Sequence, residues 1–144
     1  MIIHWTRGKD DTPPILTCLR DDGSVTYQKS SAFFVMHDFL HYAVESTLGF
    51  RDAFYGMVAQ GRDLDSFGTQ NGFKDTYPAN ALRTEEIVGA IQYSLSETKP
   101  PSDDELAITL LLTPAQVEAM HACFHELCLW WDALAAGESL DIDF

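Results

Sequence analysis

The last residues of the chain impose the strongest constraint on its fold. Leu140, Ile142 and Phe144 alternate with Asp141 and Asp143, the two-residue period of a strand with one face buried. A strand needs a neighbour to pair its backbone groups. The other β-type runs lie at the far end of the sequence, at Ile2–Thr6, residues 15–20 and residues 25–27. The two ends of the chain are therefore expected to meet in one antiparallel sheet. Asp21-Asp22-Gly23-Ser24 separates the second and third runs, and its Asp-Gly pair predicts a tight hairpin in which both central residues take positive φ. Residues 8–14, polar and closed by Pro13 and Pro14, read as the loop joining the first two strands.

Between the strands the period lengthens to that of a helix. Over residues 33–48, Met36, Leu40, Ala43, Val44 and Leu48 share one face, and Gly49 is placed to close the helix. A shorter helix over residues 52–60 would bury Phe54, Met57 and Val58 and end at Gly61. Gly56 inside it either admits a close backbone approach or weakens the helix. Residues 62–83 are polar and aperiodic, an irregular loop whose length suits a binding lid. Thr84 is the expected N-cap of a helix to about residue 96, with Glu85 and Glu86 in its first turn. Ser102-x-x-Glu105 has the form of a capping box before residues 106–112, whose pattern fits helix and strand equally. Thr113-Pro114-Ala115-Gln116 opens the longest helix, with Val117, Met120, Phe124, Leu127, Trp131 and Leu134 as its core stripe, ending before Gly137. The resulting expectation is a single α+β domain over residues 1–144: an N-terminal hairpin and a C-terminal strand in one antiparallel sheet, packed against about four helices.

Charge and composition bound the partners. Nine Lys and Arg against twenty-two Asp and Glu give a formal charge of -13, which repels phosphate backbones and anionic headgroups, so neither nucleic acid nor membrane is an expected partner. The plain role of that charge is solubility. With 46% hydrophobic residues the chain can build a core without disulfides or a metal. Cys18, Cys123 and Cys128 form no CxxC pair, no apolar run reaches membrane-spanning length, and the N-terminus lacks a secretory pattern. A reducing cytoplasm is the expected location.

The chemistry concentrates in His37-Asp38-Phe39-Leu40-His41-Tyr42-Ala43-Val44-Glu45. His37 and His41 are four apart, so on a helix they stack on one side and can share a divalent transition metal. Glu45 continues the line, but eight residues of helix separate it from His37 by about 12 Å, so one ion cannot bridge both ends. Glu45 is accordingly a ligand or an orienting group behind one, and Asp38 an acid–base group. On the last helix Glu118, His121, His125, Cys128 and Asp132 follow at steps of three or four, making His121 and His125 possible further ligands. Glu118-x-x-His121 has the spacing used in di-iron helical bundles, and Asp38-x-x-His41 is a shortened version of it. Completing such a bundle would take Glu85, Glu86 or Glu45. Polar residues at these steps equally line the solvent face of any amphipathic helix. Cys123 and Cys128 sit among apolar neighbours that favour inert thiols. No GxSxG, Walker or GxGxxG motif is present.

Arg20-x-Asp22-Gly23, HDFLHYAVE, Leu48-Gly49-Phe50, Phe54-Tyr55-Gly56 with Ala59-x-Gly61, and Trp131-x-x-Leu134 before Leu140 together resemble a group of small uncharacterised bacterial proteins carrying an HDxxHYxxE segment. The resemblance spans most of the chain and implies a shared fold and an interest in His37, Asp38, His41 and Glu45, without implying a reaction. HDxxH is also similar to the motif of the coenzyme Q biosynthesis scaffold family, but the position of that family's later glutamate is Ala53 here. Two functions of different class follow. One is a metal-binding or hydrolase-like site taking a small molecule, with His37, His41 and Glu45 on the metal. The other is a non-enzymatic interaction module that self-associates as a homo-oligomer.

Overall fold

A computed structural model describes residues 1–67 and 77–144. Its four strands, β1 (Ile2–Thr6), β2 (Ile15–Leu19), β3 (Val25–Lys29) and β4 (Ser139–Asp143), form one antiparallel sheet in the order β3-β2-β1-β4. The C-terminal strand thus lies beside the N-terminal one, with Ile3 opposite Ile142 and Trp5 opposite Leu140. On the other side of β1, Ile3 faces Cys18 and Trp5 faces Leu16. This register gathers Ile3, Trp5, Leu16, Cys18 and Leu140 on one buried face of the sheet.

The hairpin turn between β2 and β3 departs from the expected form. Pairing ends at Leu19 and Val25, and the Gly23 N–H reaches the Arg20 carbonyl at 2.9 Å, so the loop holds more than two residues. Only Gly23 takes positive φ, at 83°, while the Asp22 carboxylate accepts the Ser24 N–H. This is an ordinary turn followed by a left-handed glycine, and it asks nothing unusual of Asp22.

Helix α1 (Ala32–Leu48) is the centre of the molecule. The Ser31 hydroxyl caps its first turn by accepting the Phe34 N–H, and Gly49 ends it at φ 68° with its N–H on the Glu45 carbonyl. Val35 and Phe39 pack on the sheet, where Phe39 meets the fully buried Trp5 edge-on at 4.9 Å between ring centroids. Leu40 and Val44 face the opposite way, into a second core cluster with Ile87, Val88, Ile91, Leu110 and Met120. A helix packed on two sides has little surface left for solvent. Asp38, His41 and Glu45 are accordingly buried with it.

Helix α2 (Phe54–Ala59) is short, and of the three side chains expected in its core only Val58 is fully buried. Tyr55 and Gly56 take the other buried positions, while Phe54 and Met57 are half-buried beside a cavity. A Cβ at Gly56 would stand 2.2 Å from the Arg51 carbonyl carbon, so the close approach open to a glycine there is realised. Arg20, 7% exposed, ties α2 to the hairpin by donating to the carbonyls of Val58 and Arg62 and to the Asp63 carboxylate.

Of the stretch expected as an irregular loop, Leu64–Phe67 form a 3-10 turn and residues 68–76 lie outside the described residues. Its last five residues are helix: α3 runs Ala79–Ser96, with its N-cap at Pro78, six residues before the one expected at Thr84. Ala81, Thr84, Ile87, Val88 and Ile91 are all buried, at successive steps of three, three, one and three, so the packed face of the helix extends back through Thr84. Pro78, whose fixed φ suits a helix start, stands at the N-cap. Glu85 and Glu86 consequently fall in the second turn. The ambiguous run at residues 106–112 is mostly helix, α4 (Asp103–Leu110), opened by the capping box of Ser102 and Glu105 and closed by Leu111 at φ 51°. A second capping box, Thr113 with Gln116, opens α5 (Pro114–Ala133), whose Val117, Met120, Leu127 and Trp131 are buried. Among the described residues no single helix is long and apolar enough to cross a membrane.

Candidate metal centre and adjoining cavity

On α1, one turn apart, the rings of His37 and His41 converge. Their Nε2 atoms are 3.1 Å apart, and the Glu85 Oε1, brought by α3, is 3.4 Å from the His41 Nε2. The three ligand atoms all lie within 4.8 Å of one another. Nitrogens each about 2.0–2.1 Å from one zinc-like ion stand about 3.0 to 3.4 Å apart, the edge of an octahedron or a tetrahedron. The spacing of the two imidazoles matches that edge. The Glu85 side chain is 60% exposed and is the adjustable member of the group.

The opposite nitrogens decide what the Nε2 atoms can do. The His37 Nδ1 lies 3.1 Å from the Gln92 Oε1, an amide oxygen that can only accept, so Nδ1 carries the proton and Nε2 presents a lone pair. The His41 Nδ1 faces the Glu45 Oε1 at 3.6 Å, too long for a hydrogen bond, and is buried without a partner. The His37 ring is thus oriented from behind by a hydrogen bond, as metal-binding histidines are, while Glu45 stands behind His41 without bonding it. Burial pushes the His41 pKa down to about 4, His37 adds to the depression and Glu85 works against it. The ring is therefore neutral near pH 7, as ligation requires.

Glu45, expected as a metal ligand or an orienting group behind one, stands behind His41 rather than beside His37. It is fully buried, and its two oxygens accept the N–H groups of Tyr55 and Gly56 at 3.2 Å each. Those are orphan donors at the start of α2, which its own N-cap residue Ala53 cannot satisfy with a side chain. Glu45 of α1 is in effect the cap of α2. Burial raises its pKa to about 7, and the N–H donors oppose that rise.

Asp38 is 4% exposed, lines the cavity beside the imidazoles, and its Oδ2 has no hydrogen-bond partner. Burial raises its pKa to about 8, so it carries a proton at neutral pH. The cavity, about 870 Å³, lies between the end of β3, α1, α2, the 3-10 turn and the first turns of α3, with Gln28, Lys29 and Ser30 on its β3 side. Phe34, Phe54, Met57, Leu64, Phe67 and Leu82 supply its apolar wall, and His37, Asp38, His41 and Glu85 its polar corner. The Phe54 ring lies tilted against His41, with ring centroids 5.2 Å apart, and meets Phe67 at 4.8 Å.

The histidines of α5 are elsewhere. His121 bonds Asp103 at 2.8 Å, joining α5 to α4, and His125 is exposed. Neither belongs to the group formed by His37, His41 and Glu85. The bundle arrangement that would join Glu118-x-x-His121 to α1 is therefore not built. The cysteines are poor nucleophiles: burial lifts Cys18 to about 12 and Cys128 to about 11, and raises Cys123. Sequence reasoning missed Gln92, Phe54 and Phe67 as parts of the site. Gln92 is fifty-five residues from His37, and no local spacing connects them. Comparison with protein-family models, with curated proteins and with solved structures finds no significant match.

Proposed function

We propose that the protein holds a divalent transition metal between His37, His41 and Glu85 and acts hydrolytically on a small molecule in the adjoining cavity. One observation carries the reading. Two imidazoles point their Nε2 atoms at each other across 3.1 Å, with Gln92 and Glu45 behind their other nitrogens. In the metal-free protein one of these Nε2 atoms must carry a proton to bond the other. A shared ion satisfies both lone pairs at once and leaves the His41 Nδ1 proton for Glu45. When bound, the ion supplies Lewis-acid activation of a carbonyl or of water. The protein residues divide the rest. Gln92 orients the His37 ring, Glu45 stands ready to accept from the His41 Nδ1, the apolar walls exclude water, and Asp38 holds a proton beside the reacting centre.

The test is metal content. Protein purified without chelator and then dialysed against zinc, manganese or iron should retain close to one equivalent of one of them. His41→Ala should lose it, and the exposed-site control His125→Ala should keep it. Equal metal content in all three proteins, or none in any, refutes the centre. A second reading, self-association, is favoured by the exposure of Ile108 and Leu111 at the end of α4, 77% and 88%. Light scattering that stays monomeric across concentration excludes it.

A further inference from the structure

We infer that the cavity takes a hydrophobic acyl compound, with its acyl oxygen at the His37–His41–Glu85 corner and its apolar body along the wall of Phe54 and Phe67. The position of the head rests on the metal reading above; that of the body does not.

The cavity is sized for a small ligand at about 870 Å³; an apolar wall adjoins its imidazole corner, and Gln28, Lys29, Ser30, Asp65 and Tyr77 add polar groups to the rest of the lining. The aromatic wall begins at the imidazole pair, with Phe54 against His41, and leads away from it through Phe67. Seven residues of α1 separate His41 from Phe34, both of which line the cavity, a run of roughly 10 Å. An aryl ring on a chain of three or four carbons spans that length. Phe34 and Leu82 are 54% and 58% exposed although they line the cavity, so a bound apolar body would cover surface now facing water.

The head is argued from two features. A metal at the imidazole corner takes an oxygen donor, whereas an ammonium head would meet the ion's own charge. In the same wall the buried Asp38 Oδ2 lacks a hydrogen-bond partner, and a buried carboxyl oxygen requires one. An acyl group, with its oxygen on the metal and its second heteroatom beside Asp38, meets both demands. A bare hydrocarbon meets neither. If an ester or amide is turned over, water adds to the acyl carbon and the carbon–oxygen or carbon–nitrogen bond breaks. The departing atom takes a proton, leaving a free acid and an alcohol or amine. The acyl oxygen is common to substrate and product.

The full-length protein, zinc-loaded and separately chelator-treated, should be titrated calorimetrically with phenylbutanamide, phenylbutanoate, phenylbutylamine and acetamide. At least one acyl probe should bind the zinc form at least tenfold more tightly than both the amine, which lacks the oxygen, and acetamide, which lacks the body. A preference for the amide marks the neutral acyl compound as the ligand, and a preference for the acid marks the free acid. Phe54→Ala should weaken the better probe at least fivefold. Leu82→Asp, at an exposed rim position that cannot endanger the core, should do the same and keeps the test valid if the first variant fails to fold. The inference is overturned if the amine binds as tightly as the acyl probes, or if neither substitution changes affinity. It is equally overturned if zinc is retained and no probe binds, and the metal centre then stands alone. If zinc is not retained but the acyl probes bind through Phe54 and Leu82, the ligand class holds and the metal reading fails.

Discussion

Replacing Asp38 with asparagine should produce a stability change that depends steeply on pH. Burial lifts this carboxyl from 3.8 to about 8, so between those values the folded chain keeps a proton that the unfolded chain has released. A carboxyl raised in this way stabilises the fold fully below its unfolded pKa, and the contribution is lost as pH rises through the window. The slope is about 1.4 kcal/mol per pH unit, which over the whole interval amounts to an upper bound of about 5 to 6 kcal/mol. Two neighbours titrate in the same range. Glu45, lifted from 4.5 to about 7, also loses stability as pH rises. His41, lowered from 6.5 to about 4, acts the other way: its contribution is present above 6.5 and lost as pH falls toward 4. The wild-type profile therefore sums three groups, but the difference between wild type and Asp38→Asn leaves chiefly Asp38. Urea unfolding of chelator-treated protein, followed by the fluorescence of the fully buried Trp5, gives that difference. Relative to wild type, the asparagine variant should gain about 2 to 3 kcal/mol between pH 5 and pH 7. Parallel profiles for the two proteins over that range would show that Asp38 is not held protonated by the fold, and the account of the site's electrostatics would fail with it.

Two further substitutions probe the frame around the site. Gly56→Ala places a methyl group 2.2 Å from the Arg51 carbonyl carbon and should cost about 2 to 4 kcal/mol in urea unfolding. A loss below 1 kcal/mol would mean that the backbone relaxes freely there. Glu45→Ala leaves the Tyr55 and Gly56 N–H groups without their acceptor and should cost about 3 kcal/mol, with Glu45→Gln losing less because one amide oxygen still accepts. Equal losses for the two would show that Glu45 stabilises by packing rather than by capping α2.

Local signals were legible wherever a few neighbouring residues decide the outcome. Ser102 with Glu105 and Thr113 with Gln116 start helices because each cap and its partner lie within four residues. Residues 139–144 announced a half-buried strand, and the other β-type runs pointed it to the N-terminal hairpin; that β1 is its neighbour came from the structure. The start of α3 was misplaced for the complementary reason. Thr84 has the chemistry of an N-cap, but it is buried on the packed face of α3, which is invisible locally, and lies inside the helix. Of residues 62–83, expected as an irregular loop, the last five belong to α3.

By itself the sequence determined the α+β class, the meeting of the two termini in one sheet, and the stacking of His37 over His41, since four residues of helix leave no other arrangement. Tertiary structure alone decided what those imidazoles confront. An isolated amphipathic helix would turn Asp38, His41 and Glu45 to water, but α1 is packed on the sheet through Phe39 and on α3 and α5 through Leu40 and Val44, so these polar groups are taken inside. Burial then shifts their proton affinities, draws Glu45 away to cap α2, and brings Glu85 and Gln92 from more than forty residues along the chain to the ring nitrogens. Helical spacing is a property of neighbours in sequence, whereas desolvation and convergence belong to elements packed in space.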